Sequence, residues 1–193
     1  MSQNNLGWKQ GVKDGLPIAL GYLSVSFTFS MAAAAAGLSA GEAVMISATN
    51  LTSAGQFAGL TLIQTQASLL EMALTTLVIN LRYALMSLSL AQKLDPAMSR
   101  LQKAVLAFGN TDEIFAVAVS HPIVRFHYML GLILTPMAGW VGGTFLGCAF
   151  SALLPEAVRA AFAVAIYGMF IAIVAPVARQ LKSVAIVVGI AVA

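Results

Sequence analysis

An arginine stands in the middle of a long apolar stretch of the sequence. Residues 75–93 read TTLVINLRYALMSLSLAQK, and taken back to Ser68 they are long enough to cross a bilayer as a helix. A charged side chain at membrane depth costs at least about 2.5–3.5 kcal/mol, so it normally faces a protein interior or a watery cavity and has a partner of opposite charge. The sequence therefore predicts an anionic partner for Arg82.

Two acids in a later, interrupted stretch are candidates for that partner. Residues 104–120 contain two short apolar pieces, and the polar centre between them can end one helix and cap the next. Asp112 and Glu113 suit the first turn of the second helix because acids complement its positive terminus. An ordinary surface loop with a capped helix behind it explains these residues equally well. If the stretch lies at membrane depth instead, a salt bridge to Arg82 would neutralise the acids.

A third polar group interrupts residues 41–64, which are apolar at both ends. Ser53 and Gln56 lie on one helix face, and two nearby glycines weaken the helix. Hydrogen bonding between helices is the ordinary explanation for such residues in membrane proteins. The alternative is a broken or re-entrant segment whose freed backbone groups face a solute. The sequence leaves both explanations open.

Composition places all of these residues in a membrane protein. The 193-residue chain is 60% hydrophobic and only 9% charged, whereas soluble domains average about 25% charged. Several apolar runs approach about 20 residues, and the alternating pattern of barrel strands is absent. We predict an all-α polytopic membrane protein with about five to seven membrane segments, some broken or re-entrant, in a single transporter domain, 1–193.

The elements that must position the polar residues follow in order along the chain. Asp14 is the predicted N-cap of the first helix, which continues for about 20 residues. The central helix, 75–93, carries polar residues on two faces, so we expect other helices to pack around it. Gly139, Gly143 and Gly147 line one face of a later helix and predict close contact with a neighbouring helix.

Residues near the two ends of the chain indicate the side of the membrane on which the N-terminus lies and the segments near the C-terminus that can span it. Lys9 and Lys13 precede the first apolar run, which is too long for a signal peptide, so we predict a cytoplasmic N-terminus in a multi-pass protein of the inner, cytoplasmic membrane. The scattered lysines and arginines form no basic patch, which argues against nucleic-acid binding. Residues 157–178 form another predicted span, whereas 183–193 is too short to cross. We therefore expect the chain to end partway through a helix of a longer protein.

The order of apolar runs also indicates an internal repeat. Two three-helix units, 14–92 and 128–193, would be linked by 93–127. If 104–120 does not span, the two units have opposite orientation, as in many secondary transporters. The positive charges after the central helix argue against three full spans unless 41–64 is re-entrant. The sequence leaves the orientation open.

Short motifs occur in a consistent order over most of the chain. They are Asp14-Gly15-Leu16-Pro17, Gly37-Leu38-Ser39, Ser53-Ala54-Gly55-Gln56-Phe57-Ala58, Thr75-Thr76, Asn80-Leu81-Arg82-Tyr83, Leu88-Ser89-Leu90 and Thr111-Asp112-Glu113. The ordered set resembles the AzlC family of branched-chain amino-acid exporters, although Tyr83 stands where that family often has histidine. The resemblance implies export of leucine, isoleucine or valine, or of related hydrophobic compounds, and a small AzlD-type membrane partner.

An amino-acid substrate is a zwitterion, and this sets the chemistry of its site. The carboxylate needs a cation or N–H groups, the ammonium group needs acceptors, and the side chain needs an apolar pocket. Arg82 or a half-helix N-terminus could meet the carboxylate, and the amide side chains of the broken and central segments could supply further polar contacts. The predicted substrate site comprises Asn50, Ser53, Gln56, Asn80, Arg82 and Tyr83.

Export against a gradient also needs a coupling ion, and we predict a proton. Asp112 is the predicted carrier because a carboxyl group in a low dielectric can bind a proton near neutral pH. Glu71 is the reserve, and Glu113 completes the coupling set. A permanent ion pair with Arg82 would keep Asp112 ionised, so the pair must open during the transport cycle.

Other functional classes stand beside transport. The chain has no GxSxG or HExxH motif, and neither its two histidines nor Cys148 has metal-ligand spacing. We therefore predict no enzymatic activity, no cofactor and no metal. The alternative to a transporter is a structural or assembly subunit of a membrane complex, because the glycine face suits partner contacts. Homo-oligomerisation is left open.

Overall fold

The computed structural model describes residues 7–158, 160, 161 and 164. The helices of this part are α1 (Trp8–Ala35), α2 (Ala40–Thr49), α3 (Ser53–Gln64), α4 (Leu69–Ala91), α5 (Arg100–Phe108), α6 (Asp112–Val119) and α7 (Phe126–Phe150), followed by a 3-10 turn, Ser151–Leu153. No β-strand occurs among the described residues, which confirms the predicted all-α class. The predicted span 157–178 lies almost entirely outside them, and 183–193 lies wholly outside.

Three helices of the described part, α1, α4 and α7 with its 3-10 turn, are long and apolar enough to cross a membrane. The first of them begins earlier than predicted. Gly7 is the N-cap of α1, so the prediction that Asp14 caps this helix is wrong. Asp14 Oδ2 instead accepts a hydrogen bond of 3.0 Å from the hydroxyl of Tyr128 in α7. The sequence favoured a capping role for Asp14 because its actual hydrogen-bond partner, Tyr128, is 114 positions away.

α1 and α7 form the most tightly packed pair. A Cβ atom on Gly139 would lie 2.5 Å from the carbonyl oxygen of Ala19, and one on Gly143 would lie 2.4 Å from that of Leu23. The helices run parallel, since a step of four residues along α7 meets a step of four along α1. The predicted close contact at the glycine face is confirmed, with α1 as the neighbour.

α2 and α3 form a re-entrant pair. Asn50 (φ −140°, ψ 114°) and Thr52 (φ −89°, ψ 98°) are extended and separate the two helices. Glu42 near the start of α2 and Ile63 near the end of α3 line one cavity of about 500 Å³, so the chain returns to the end of the molecule from which it entered. The predicted break in 41–64 is therefore present, and the hydrogen bonds Thr52–Asn80 and Ser47–Thr144 show that its polar residues also bond between helices.

α5 and α6 form a second re-entrant pair. Thr111 is the N-cap of α6 and has extended backbone angles (φ −85°, ψ 171°). Met98, just before α5, and Ala118, near the end of α6, belong to one buried cluster. Lys93, just after α4, donates a hydrogen bond from Nζ to the carbonyl of Val119. This pair therefore enters from the end where α4 finishes, opposite to the α2–α3 pair.

These directions change the interpretation of the repeat. Inverted units at 14–92 and 128–193 would place their first helices antiparallel, whereas α1 and α7 run parallel. Opposite entry instead relates the α2–α3 pair to the α5–α6 pair. The sequence could not show this because neither pair crosses the molecule, and hydropathy alone does not distinguish a re-entrant pair from a span.

Basic residues concentrate at one end of the molecule. The end that holds the starts of α1 and α7 and the end of α4 carries two acids, Asp14 and Asp95, and six basic residues: Lys9, Lys13, Lys93, Arg100, Lys103 and Arg125. At the opposite end, Glu42 and Glu71 lie in the first turns of α2 and α4. A re-entrant α2–α3 pair lets α4 return to the end where α1 begins, so the positive charges at the start of α1 and after α4 lie on one side. This removes the conflict that left the orientation open.

α4 is less enclosed than predicted. Leu90 is its one buried residue, and Leu77 and Leu85 are 62% and 70% exposed. The helix packs mainly against α3 and α6. The expectation that other helices surround it is wrong for the described part of the chain, because the tips of the two re-entrant pairs contact only one side of it.

Candidate functional site

The tips of the two re-entrant pairs meet beside the middle of α4, around a cavity of about 250 Å³. Its lining consists of Thr49, Asn50, Leu51, Thr52, Asn80, Tyr83, Ala107, Phe108, Asn110 and Thr111. The N-termini of α3 and α6 and the C-termini of α2 and α5 lie at these tips. The broken helices therefore bring positive and negative backbone ends to one small space.

Side-chain hydrogen bonds hold the tip of the α2–α3 pair against α4. Thr52 Oγ1 donates to Asn80 Oδ1 at 2.9 Å and accepts from the backbone N–H of Gly55 at 3.1 Å. Asn50 Oδ1 accepts from the N–H of Thr52 at 3.1 Å, and Gln56 Nε2 donates to the carbonyl of Asn50. The polar side chains of the tip thus replace the helical hydrogen bonds that the extended backbone lacks.

The N-terminus of α6 is held by contacts to α1. Thr111 makes no side-chain capping bond, and its Oγ1 lies 2.7 Å from the hydroxyl of Tyr22. The same hydroxyl lies 2.6 Å from Glu113 Oε2. Tyr22 is only 5% exposed, so one buried phenol joins the α1–α7 pair to the tip of the second re-entrant pair.

Arg82 and Asp112 form the predicted salt bridge. Arg82 Nη2 lies 2.9 Å from Asp112 Oδ2, and the two side chains are 43% and 37% exposed. The guanidinium also lies over the ring of Tyr83, 5.2 Å from its centroid, where a cation–π attraction adds to the charge pairing. The anionic partner of Arg82 is therefore confirmed. The pair lies next to the cavity lining, through Tyr83 and Thr111, and is not part of it.

Buried polar atoms without partners concentrate around the cavity. In the described part of the chain they are Gln56 Oε1, Asn110 Oδ1 and Trp140 Nε1. Leaving a buried polar group without a partner costs about 1–3 kcal/mol. Asn110 lines the cavity, Gln56 contacts the backbone of its first tip, and Trp140 packs in a cluster with Leu51 of that tip. Such atoms are expected where a ligand or water completes the site.

The structure places the predicted substrate residues at three positions around the cavity. Asn50, Asn80 and Tyr83 line the cavity. Ser53 and Gln56 lie at the start of α3, directly behind the tip. Arg82, the last member of the predicted set, lies beside the cavity in its ion pair and is half-exposed.

The acids predicted for coupling are also divided. Asp112 and Glu113 lie together in the first turn of α6, next to the cavity. Glu71 is exposed in the first turn of α4, about 13 Å of helix away from Asn80 at 1.5 Å per residue. Within the described residues no three His, Cys, Asp or Glu side chains come together as a metal-binding group.

Sequence reasoning missed four residues of the site. Tyr22 gave no signal beyond a hydroxyl in an apolar run, and its partners lie 89 and 91 positions away. Thr52 and Thr111 could be recognised only as capping residues, and Asn110 only as an alternative cap. Their positions at the two tips identify them as cavity residues.

Membrane-length helices, two opposed re-entrant pairs and a polar cavity at their tips define a multi-pass membrane protein with an internal polar site. The chain belongs to the AzlC family, whose model, described as AzlC protein, matches residues 17–154. No solved structure gives a significant match.

Relatives are membrane proteins of bacteria and archaea. The chain is 34% identical over 171 residues to an uncharacterized membrane protein of Archaeoglobus fulgidus. The aligned region covers 88% of this chain and 75% of that protein. It is 34% identical over 148 residues to the inner membrane protein YgaZ of Escherichia coli K12, covering 74% and 60%. An uncharacterized membrane protein of Helicobacter pylori J99 is 31% identical over 143 residues, covering 70% and 62%. The chain thus spans less than two thirds of the latter two proteins.

Proposed function

We propose that the chain is the core of a secondary-active membrane transporter that exports branched-chain or related hydrophobic amino acids. One observation carries the proposal: two opposed re-entrant pairs meet at a polar cavity beside the middle of a membrane-length helix. Discontinuous helices build transporter sites in this way because their free N-termini attract anionic groups and their unwound carbonyls attract cations. The substrate class follows from what the family resemblance implies.

The cavity suits a small zwitterion in size and polarity. Its volume of about 250 Å³ lies just below the range of about 300–1,000 Å³ for ligand pockets, so one small solute is the expected occupant. Leu51 and Phe108 supply apolar surface, and Asn50 and Asn80 supply polar groups. Because Arg82 is paired with Asp112, we expect the carboxylate of the substrate to bind first to side-chain amide and backbone N–H groups.

Proton coupling is assigned to the ion pair. Protonation of Asp112 removes its attraction for Arg82 and releases α6 from α4, whereas deprotonation restores the contact. Glu113 is held by Tyr22 on the other side of the same turn, so opening one contact leaves the other in place. Glu71, exposed at a helix start, has no part in this step.

Vesicle transport with Asp112→Asn tests the coupling step. We expect proton-driven flux to fall at least tenfold, because the amide cannot carry the proton, while exchange of substrate without a proton gradient persists. Glu71→Gln is the matched control and should leave both fluxes unchanged. Unchanged proton-driven flux in Asp112→Asn would remove this carboxyl group from the mechanism.

The membrane setting completes the proposal. The end rich in lysine and arginine faces the cytoplasm by the positive-inside rule, which places both chain segments before α1 and after α4 inside. A relative is named an inner membrane protein, and we propose the same membrane here. We also propose that the protein acts with a small AzlD-type membrane partner. We propose that it transports its substrate without an enzymatic reaction.

A subunit without its own transport site is the second candidate, favoured by the exposed apolar face of α4. Thermal unfolding of the purified protein in lipid nanodiscs with leucine, isoleucine or valine separates the two. A transporter is stabilised by binding its substrate, by about 2.7 kcal/mol when the free substrate concentration is one hundred times Kd. Efflux of these amino acids from cells with and without the full-length gene and its partner gives the matching cellular test. No stabilisation and no change in efflux would favour the subunit.

A further inference from the structure

Asn110 lies at the tip of the α5–α6 pair and has an unused hydrogen-bond acceptor. Its side chain is 5% exposed and belongs to the cavity lining. Nδ2 donates to Ser87 Oγ of α4 at 3.4 Å, whereas Oδ1 is buried and has no partner among the described residues. An amide oxygen has two lone pairs and is normally satisfied when buried. This oxygen is therefore a buried acceptor without a partner, on a residue that lines the cavity.

The surroundings of Asn110 favour a cationic donor. At the two tips, the C-termini of α2 and α5 carry negative partial charge and the N-termini of α3 and α6 carry positive partial charge. Asp112 and Glu113 follow closely in the chain, and within the described residues Asp112 is paired with a cation, Arg82, whereas Glu113 is not. An ammonium group at Oδ1 would satisfy the acceptor and meet a favourable field.

Asn80 presents the opposite group to the same cavity. Its Oδ1 accepts from Thr52 at 2.9 Å, so its two Nδ2 hydrogens are left to donate. The two asparagines, one on α4 and one on the α5–α6 tip, thus offer a donor and an acceptor to one ligand. An α-amino acid carries the matching pair of groups on a single carbon atom.

We propose that Asn110 Oδ1 accepts a hydrogen bond from the ammonium group of an α-amino-acid substrate, while Asn80 Nδ2 donates to its carboxylate. This assignment rests on the proposed function and adds the residue that recognises the amino group and the direction in which the substrate lies. It also separates two tasks. A neutral amide binds the ammonium group, so Asp112 remains free to bind and release a proton as its ion pair with Arg82 opens and closes.

Three ligands test the assignment in the full chain in nanodiscs: leucine, 4-methylpentanoate, which lacks the amino group, and isopentylamine, which lacks the carboxylate. Asn110→Ala should weaken binding of leucine and of isopentylamine about tenfold, equivalent to about 1.4 kcal/mol, and leave 4-methylpentanoate unchanged. Asn110→Asp keeps an acceptor oxygen and should retain the preference for both amines. Ser89→Ala changes an exposed serine of the same helix that lies outside the cavity lining, so it should behave as wild type.

The outcomes distinguish this inference from the function on which it rests. If Asn110→Ala weakens all three ligands equally, or if Asn110→Asp loses the amine preference, the residue only shapes the tip and the inference is wrong. Those results leave an amino-acid site in place. If wild-type protein binds none of the three ligands, the proposed function itself fails. Should Asn110→Ala not fold, the comparison of Asn110→Asp with Ser89→Ala decides.

Discussion

The α1–α7 pair and the α4 side of the molecule are held together by different forces. α1 and α7 meet through glycines, and Trp140 of α7 is fully buried in a cluster with Tyr22 and Val25 of α1. α4 has no buried residue in its central apolar window. Its middle is connected to the re-entrant tips by three polar contacts, Thr52–Asn80, Asn110–Ser87 and Arg82–Asp112.

This difference indicates that the α1–α7 pair is the rigid part of the molecule and that the contacts between α4 and the two tips can move. Close-packed helices lose many dispersion contacts if they separate, so the α1–α7 pair is expected to stay fixed. Hydrogen bonds and partly exposed ion pairs contribute little net free energy and can be exchanged for contacts with a solute. Movement that opens the cavity is therefore expected where α4 meets the two tips.

The largest expected effect comes from replacing a leucine in α7 and comparing it with the same replacement in α4. Leu132→Ala removes a fully buried side chain of α7 and should lower the free energy of unfolding by about 2–5 kcal/mol, since a cavity forms in a rigid contact. Leu85→Ala, on the 70% exposed face of α4, should change it by less than about 0.5 kcal/mol. Denaturant unfolding in mixed micelles measures both. Equal losses would show that the described α4 face is packed in the assembled protein.

A glycine pair on one helix sharpens the same comparison. Gly139→Ala places a Cβ atom 2.5 Å from the backbone oxygen of Ala19 and should destabilise the protein by about 1–3 kcal/mol. Gly142→Ala meets nothing within 4 Å and should be neutral or slightly stabilising, because alanine favours the helix. Thermal unfolding of the two variants under identical conditions is the measurement. A tolerated Gly139→Ala would mean that α1 and α7 can shift apart.

A smaller effect is expected where the scaffold touches the site. Tyr22→Phe removes the phenol oxygen between Thr111 and Glu113 and should cost about 1–2 kcal/mol, because two groups lose a hydrogen-bond partner. Tyr83→Phe serves as the control, because it keeps the ring over Arg82 and the Tyr83 hydroxyl makes no hydrogen bond within the described residues, and it should cost less than about 0.5 kcal/mol. Equal unfolding free energies in the two variants would contradict the role given to Tyr22.

Local chemistry in the sequence predicted the features that depend on near neighbours. Polar and glycine residues within apolar runs indicated the interruption in 104–120 and gave a break in 41–64 as one of two explanations, and the charge of Arg82 in a membrane-length helix predicted its pairing with an acid. These predictions succeed because helix capping and charge burial act over a few residues or demand a partner wherever it lies.

Features that depend on distant contacts could not be predicted in the same way. Asp14 was interpreted as a cap because its partner, Tyr128, is 114 positions away. The two polar faces of α4 predicted enclosure by helices, whereas the tips of two re-entrant pairs supply the polar partners on one side. Entry from opposite ends follows from tertiary packing, which periodicity does not encode.

Substrate protection of an introduced thiol tests the central claim most directly. The chain has a single cysteine, so Cys148→Ser gives a background for Ala107→Cys, which lies in the cavity lining, and for Ala97→Cys, which is exposed outside it. The account predicts that saturating leucine slows modification by a small water-soluble thiol reagent about tenfold at position 107, as expected for about 90% occupancy, and leaves the rate at position 97 unchanged. Equal rates at position 107 with and without leucine, while the protein still exports leucine, would contradict it.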